Sequence, residues 1–226
     1  MRTRWLARAG AVTLVAGTVG SAALVVAEAV AARVRRYATP DPNLRMRTSI
    51  GDRQSPALRL VLLGDSSALG VGVDRVADTV GGHLAELLSG GPAAGGRRIE
   101  LSSVAVAGSR GGDLGTQVAR ALLGPRPEVA VILVGTCPDL GAVRAFAPPL
   151  RQIVGLLGRR IARAQAEAVH EAGGIPVDLA ARAGAVFRAD PGTLSYDGLH
   201  PSADGYRVWA HALYPAVAEA AGVVSH

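Results

Sequence analysis

A chain of 226 residues, 49% hydrophobic and 19% charged, is long enough for one globular domain with a buried core. All 24 of its Lys+Arg residues are arginine, which excludes a phosphate loop built on lysine, and its single cysteine, Cys137, excludes an internal disulfide or a cysteine metal cluster. Six arginines against Glu28 put +5 of the formal net charge of +6 on residues 1–36, so the basicity is not spread as a nucleic-acid-binding stripe.

The elements follow in chain order. Residues 9–27 carry no charge over nineteen positions, close to the ~20 that cross a bilayer as a helix. Arginines precede them and Ala29-Val30-Ala31 resembles a small-residue cleavage site, so residues 1–36 are expected to act as a signal or an anchor. Arginines on both sides leave the orientation open. Residues 37–56, rich in Pro, Asp, Asn, Arg and Ser, read as a linker, and residues 57–226 as one globular domain.

Within that domain, Leu58–Leu63 reads as a buried strand. Helices are expected over 78–88, 111–123, 149–172 and 203–221, and further strands over 99–106, 129–134 and 175–179. Strands alternating with helices imply a mainly parallel sheet covered on both faces, a three-layer α/β/α domain of the flavodoxin-like kind. A fifth strand has no clear place.

In such a sheet the loops at the C-terminal strand edge converge on a crevice. Gly64-Asp65-Ser66-Ser67 follows the first strand, Gly108-Ser109 the second, and Gly135-Thr136-Cys137-Pro138-Asp139 the third. Asp197-Gly198-Leu199-His200-Pro201-Ser202 runs into the last helix and can close over the same edge. Ser66, His200 and Asp197 supply a nucleophile, a base and a carboxylate to orient that base. Acyl transfer needs these three types, because a hydroxyl attacks an ester only when a base removes its proton.

Other readings compete with this one. Ser66 and Ser67 suit a turn, and Ser202 suits a helix cap whether or not the loop is catalytic. Asp139 and Asp190 are alternative carboxylates, but neither shares a loop with His200. His83, His170, His211 and His226 lack partners at metal-ligand spacing, so no metal and no cofactor is expected. The Gly-x-Ser-x-Gly of an α/β-hydrolase is missing, since Ala68 stands two residues after Ser66, and no Gly-x-Gly-x-x-Gly occurs in GDSSALGVG.

Over residues 58–220 the chain resembles the SGNH (GDSL-type) hydrolases. Gly64-Asp65-Ser66 is similar to that family's first block, Gly108 to its second, Gly135-Thr136-Cys137 to its third, and Asp197-x-x-His200 to its last. The resemblance implies Ser66 as nucleophile, His200 as general base and acid, Asp197 as its carboxylate, and the backbone N–H groups of Ser66 and Gly108 as oxyanion donors. It implies hydrolysis of a carboxylic ester of a lipid or an acylated glycan, in a catalytic domain outside the cell membrane. An acyltransferase would use the same residues.

The pattern departs at the third block, Gly-x-Asn-Asp in the family, where Cys137 replaces the asparagine that donates to the oxyanion. A thiol is a weak donor, and losing one oxyanion donor costs on the order of 10²–10³ in turnover. Thr136, Ser109 or a backbone N–H near Pro138 is then needed as a substitute, or else the enzyme is slow, or the domain is a catalytically weak or silent module that binds acylated glycans or lipids.

Overall fold

The computed structural model describes residues 21–41, 44, 46–123 and 131–224. It is a mixed α/β fold. Helix α1 covers residues 21–34, strand β1 is Arg47–Ile50, β2 is Ala57–Leu62 and β3 is Arg98–Ser103. Between β2 and β3 lies α2 (Val80–Gly90), followed later by α3 (Leu114–Ala121), β4 (Leu133–Gly135) and α4 (Leu150–Glu171). The chain ends with β5 (Ile175–Val177), α5 (Leu179–Ala189) and α6 (Ala203–Val224).

β2 and β3 pair in parallel with Leu58 opposite Ile99 and Leu60 opposite Leu101, as expected of strands joined through a helix. β4 and β5 also pair in parallel. Three features correct the sequence-based expectation. Within the segment read as a linker, β1 pairs antiparallel with β3, so the missing fifth strand is an edge strand of only four residues. The strands form two hydrogen-bonded ladders among the described residues, ordered β1-β3-β2 and β4-β5, where one continuous sheet was expected. The strand expected over 129–134 is described from residue 131 onward and is assigned as Leu133–Gly135.

A fourth correction is α5, which follows β5 directly. Asp178 ends the strand and caps the helix by accepting from the Ala181 N–H at 2.9 Å. Leu179, Ala183 and Phe187, each four residues apart, then point into the core. They meet Leu84 and Leu88 of α2, Ile99 and Leu101 of β3, and Tyr206, Trp209 and Ala210 of α6. Trp209 stacks at a tilt on Phe187, with ring centroids 5.7 Å apart, and Tyr206 meets it edge-on at 6.0 Å. Each fully buried aliphatic side chain there contributes about 1.5–3 kcal/mol.

Residues 9–20 of the apolar N-terminal stretch lie outside the described residues. Among the described residues no helix is long and apolar enough to cross a membrane. α1 and the residue that follows it touch the rest of the fold: Glu28 Oε2 accepts from the Leu150 N–H at 3.0 Å, and Arg35 Nη1 donates to the Ala145 carbonyl at 2.5 Å.

Candidate active site

The turn after β2 is built to present Ser66. Gly64 has a φ of +137°, which a side chain resists, and this lets the chain leave the strand sharply. Asp65 Oδ1 accepts from the Ser67 N–H at 3.1 Å, and the Ser66 carbonyl accepts from the N–H groups of Leu69 and Val71 at 3.2 and 3.0 Å. Val71 is in turn held by the buried Tyr206 hydroxyl, which donates to its carbonyl at 2.8 Å. Nearby, a Cβ on Gly72 would stand 2.5 Å from the Pro201 carbonyl oxygen, so only glycine permits the turn and the C-terminal loop to approach so closely.

That loop closes on itself from Thr193 to Ser202. The Ser195 N–H donates to the His200 carbonyl at 2.8 Å, the Ser202 N–H donates to the Thr193 carbonyl at 3.0 Å, and Gly198 takes a φ of +68° at the tip. Ser202 also caps α6, accepting from the Gly205 N–H at 3.2 Å. The Gly198 carbonyl accepts from both Arg144 and Ala145 N–H groups at 2.9 Å, which ties the loop to the segment before α4.

Asp197 is fully buried at its side chain and receives five donors. Ser195 Oγ and the N–H groups of Leu199 and His200 donate to Oδ1 at 2.9, 2.8 and 2.9 Å. His200 Nδ1 and the Ala38 N–H donate to Oδ2 at 2.7 and 2.9 Å. Burial pushes the carboxyl pKa up, but the hydrogen bonds from His200 and from the Ala38, Leu199 and His200 backbones outweigh it and hold the group well below the usual carboxylate range. An ionised carboxylate only accepts, so Nδ1 carries the proton. The lone pair of Nε2 then faces Ser66 Oγ, 3.1 Å away.

The Gly108 turn lies alongside. Val104 and Val106 N–H groups donate to the carbonyls of Leu62 and Gly64 at 2.9 and 3.2 Å, and Gly108 itself has a φ of +76°. Among the described residues, neither the Ser66 nor the Gly108 N–H is engaged by a backbone or side-chain acceptor. Gln117, which sequence reasoning missed, is 1% exposed and ties the two turns together. Its Oε1 accepts from the Gly64 N–H at 2.7 Å, and its Nε2 donates to the Gly64 carbonyl and to Ser109 Oγ at 2.8 and 2.9 Å.

The third block is arranged differently. The Cys137 N–H donates to Gln165 Oε1 at 2.7 Å, and the thiol makes only a long contact of 3.6 Å to the Pro138 carbonyl. Burial, followed by the charges of Asp139 and Asp65, pushes the thiol pKa up, so it stays protonated and a poor nucleophile. Thr136 is buried, and both its N–H and its hydroxyl turn to the Val177 carbonyl, at 2.9 and 3.4 Å. Of the expected substitutes, Ser109 is the one whose hydroxyl proton remains available, because Gln117 occupies its acceptor side.

Asp139 caps a turn by accepting from the Gly141 N–H at 3.1 Å and forms an ion pair with Arg188, while Asp190 accepts from the Gly192 N–H at 2.8 Å. Both carboxylates are therefore committed away from His200. His83 lies elsewhere, with Nε2 3.3 Å from the Ala203 carbonyl. Among the described residues, no three His, Cys, Asp or Glu side chains cluster as metal ligands would.

No family model matches the chain. It is 34% identical over 199 residues to a GDSL-like esterase of Mycobacterium tuberculosis, an alignment that covers 72% of this chain. The chain spans 62% of that relative's length. Among solved structures, one of a protein from Slackia heliotrinireducens assigned to the SGNH hydrolases is similar with a TM-score of 0.46 and 21% identity, over 73% of this chain and 98% of that one. A catalytic mutant of an acetylxylan esterase from Geobacillus stearothermophilus is similar with a TM-score of 0.46 and 17% identity, over 74% of this chain and 94% of the other.

Proposed function

Because the chain belongs to the SGNH (GDSL-type) hydrolase family, we propose that it hydrolyses carboxylic esters through an acyl-Ser66 intermediate. The three-layer, flavodoxin-like arrangement that goes with the family is part of this reading. The observation that carries it is the continuous line from Ser66 Oγ through both ring nitrogens of His200 to Asp197, at 3.1 and 2.7 Å.

In this mechanism His200 Nε2 takes the Ser66 proton as Oγ attacks the ester carbonyl, and the imidazolium that forms is stabilised by Asp197. The negative oxygen of the tetrahedral intermediate is received by the N–H groups of Ser66 and Gly108, with the Ser109 hydroxyl taking over the part that the asparagine plays elsewhere in the family. His200 then protonates the departing alcohol. A water, deprotonated by the same nitrogen, releases the acid and frees Ser66; an acceptor alcohol in place of water makes the reaction an acyl transfer. The esters are those of a lipid or an acylated glycan.

We place the catalytic domain outside the cell membrane, anchored through residues 9–27, or secreted if the chain is cut near Ala31. The contact of α1 with the segment before α4 supports the anchored form, since that cut would remove Glu28 from Leu150. A silent binding module for acylated envelope components is the second reading, favoured by Cys137.

The test is turnover of p-nitrophenyl esters of increasing acyl length together with labelling by a fluorophosphonate. Ser66→Ala is expected to lower turnover by at least about 10⁴-fold and to abolish labelling, with the melting temperature unchanged. No turnover and no labelling in the unaltered protein would favour the binding module.

A further inference from the structure

Asp197 draws its support from two sources of different kinds. All three donors to Oδ1 come from residues 195–200, so they move with the carboxylate's own loop. On Oδ2, beside His200, the remaining donor is the Ala38 N–H, 159 residues away in sequence and four residues past the end of α1. Among the described residues it is the one donor that ties the carboxylate itself, and not only its loop, to a distant part of the chain.

The segment that delivers Ala38 is pinned at several points. Arg35 Nη1 donates to the Ala145 carbonyl, and the Ala145 N–H donates to the Gly198 carbonyl in the same loop as Asp197. Tyr37 turns back to the helix it leaves, its hydroxyl donating to the Ala32 carbonyl at 2.8 Å. Upstream, Glu28 receives the Leu150 N–H, and downstream the buried Met46 carbonyl accepts from the Ser103 N–H at 3.1 Å.

We propose that residues 35–38 form a positioning strap, in which the Ala38 N–H holds Asp197 Oδ2 against His200 Nδ1 and so couples the N-terminal helix to the rate of the chemical step. The hydrogen bonds of residues 35–38 go to Ala31, Ala32, Ala145 and Asp197 and none to Ser66. Loss of the strap leaves Oδ2 with one donor, lets the carboxylate turn away from Nδ1, and weakens the stabilisation of the imidazolium that develops in the transition state. The effect therefore falls on kcat and not on KM. This inference rests on the hydrolase reading of Ser66, His200 and Asp197.

The experiment uses the full chain and p-nitrophenyl acetate. Ala38→Pro deletes the N–H and is expected to lower kcat about ten-fold with KM within about two-fold, the scale of one hydrogen bond to a charged group. Ala38→Ser keeps the N–H and is expected to retain most of the activity. To separate positioning from a general disturbance of the fold, Ala38→Pro is repeated in an Asp197→Ala background, where it is expected to add no further loss. Wild-type kcat in Ala38→Pro, or an equal factor in both backgrounds, would overturn the strap. Wild-type turnover in Ser66→Ala would instead overturn the hydrolase reading beneath it, so the two failures are distinguishable.

Discussion

The turn after β2 and the segment after β4 both follow parallel strands, yet they use their backbone donors in opposite ways. At Ser66 the carbonyl is tied down by Leu69 and Val71 while the N–H is left open toward the site. At Cys137 the N–H is consumed by Gln165, and Thr136 is turned wholly to Val177. The first region stays chemically poised because its rigidity comes from groups behind it, Gln117 and Tyr206. In the second, the Cys137 N–H and both donors of Thr136 are committed within the fold. Oxyanion stabilisation is therefore expected to reside on the Ser66–Gly108 side alone.

The largest effects available to break this comparison lie in the dyad that serves Ser66. His200→Ala is expected to cost at least about 10⁴ in kcat, and Asp197→Ala nearly as much. The double variant is expected to be little worse than His200→Ala, because both side chains serve one proton transfer; additive losses in esterase kinetics would assign Asp197 to loop structure only. Asp197 also leaves a signature in stability. Its carboxyl is depressed in the folded state, so the stabilisation it brings is complete above the unfolded value near ~4 and is lost as pH falls from there toward the lower folded value. Denaturant titrations between about pH 5 and 2 are expected to show a shallower acid-side decline in Asp197→Ala than in the unaltered protein.

Gln117 tests the rigid side of the comparison more gently. Gln117→Leu preserves the packing volume but orphans the Gly64 N–H, at about 1–3 kcal/mol for a group left unpaired, and leaves the Gly64 carbonyl with the Val106 N–H as its remaining donor. Gln117→Glu keeps the acceptor for the Gly64 N–H and loses the donor to its carbonyl. Stability by chemical denaturation is expected to fall in both, and kcat to fall about ten-fold in Gln117→Leu as the Ser66 and Gly108 turns loosen relative to each other. A variant that loses stability at full kcat would show that the two turns hold their spacing without the clamp.

That Ser66, His200 and Asp197 come into contact was legible in sequence because they sit in short local motifs whose residue types have few other reasons to occur together in that order. Gln117 was not, since a glutamine in an exposed-looking amphipathic helix carries no mark of the glycine it will meet 53 residues earlier. Ala38 was invisible for a different reason: it acts through its backbone, and every residue but proline has that N–H. The parallel strands and long helices followed hydrophobic period, whereas β1 is too short to show one and pairs antiparallel at an edge. α5 did carry a readable signal in Asp178 and the spacing of Leu179, Ala183 and Phe187, obscured by the apolar run of β5 continuing into it.

The smallest expected effect is also the sharpest for the comparison, because it asks whether the third block can be made catalytic again. If the site simply lacks a donor, Cys137→Asn supplies an amide where negative charge develops, and kcat should rise with little change in KM. The geometry argues against a gain. The Cys137 backbone is fixed by Gln165, its side chain turns toward the Pro138 carbonyl, and Pro138 has no N–H to share, so the new amide would need partners in a half-buried place that offers few. Turnover in Cys137→Asn is therefore expected to stay level or to fall by less than about ten-fold. Cys137→Ala is expected to be nearly silent, since the thiol neither ionises readily nor donates well. Ser109→Ala, on the opposite side, is expected to lower kcat by about 10²-fold or more, as loss of an oxyanion donor does. A rise in Cys137→Asn together with a silent Ser109→Ala would move the third donor back to the segment after β4 and erase the asymmetry between the two regions.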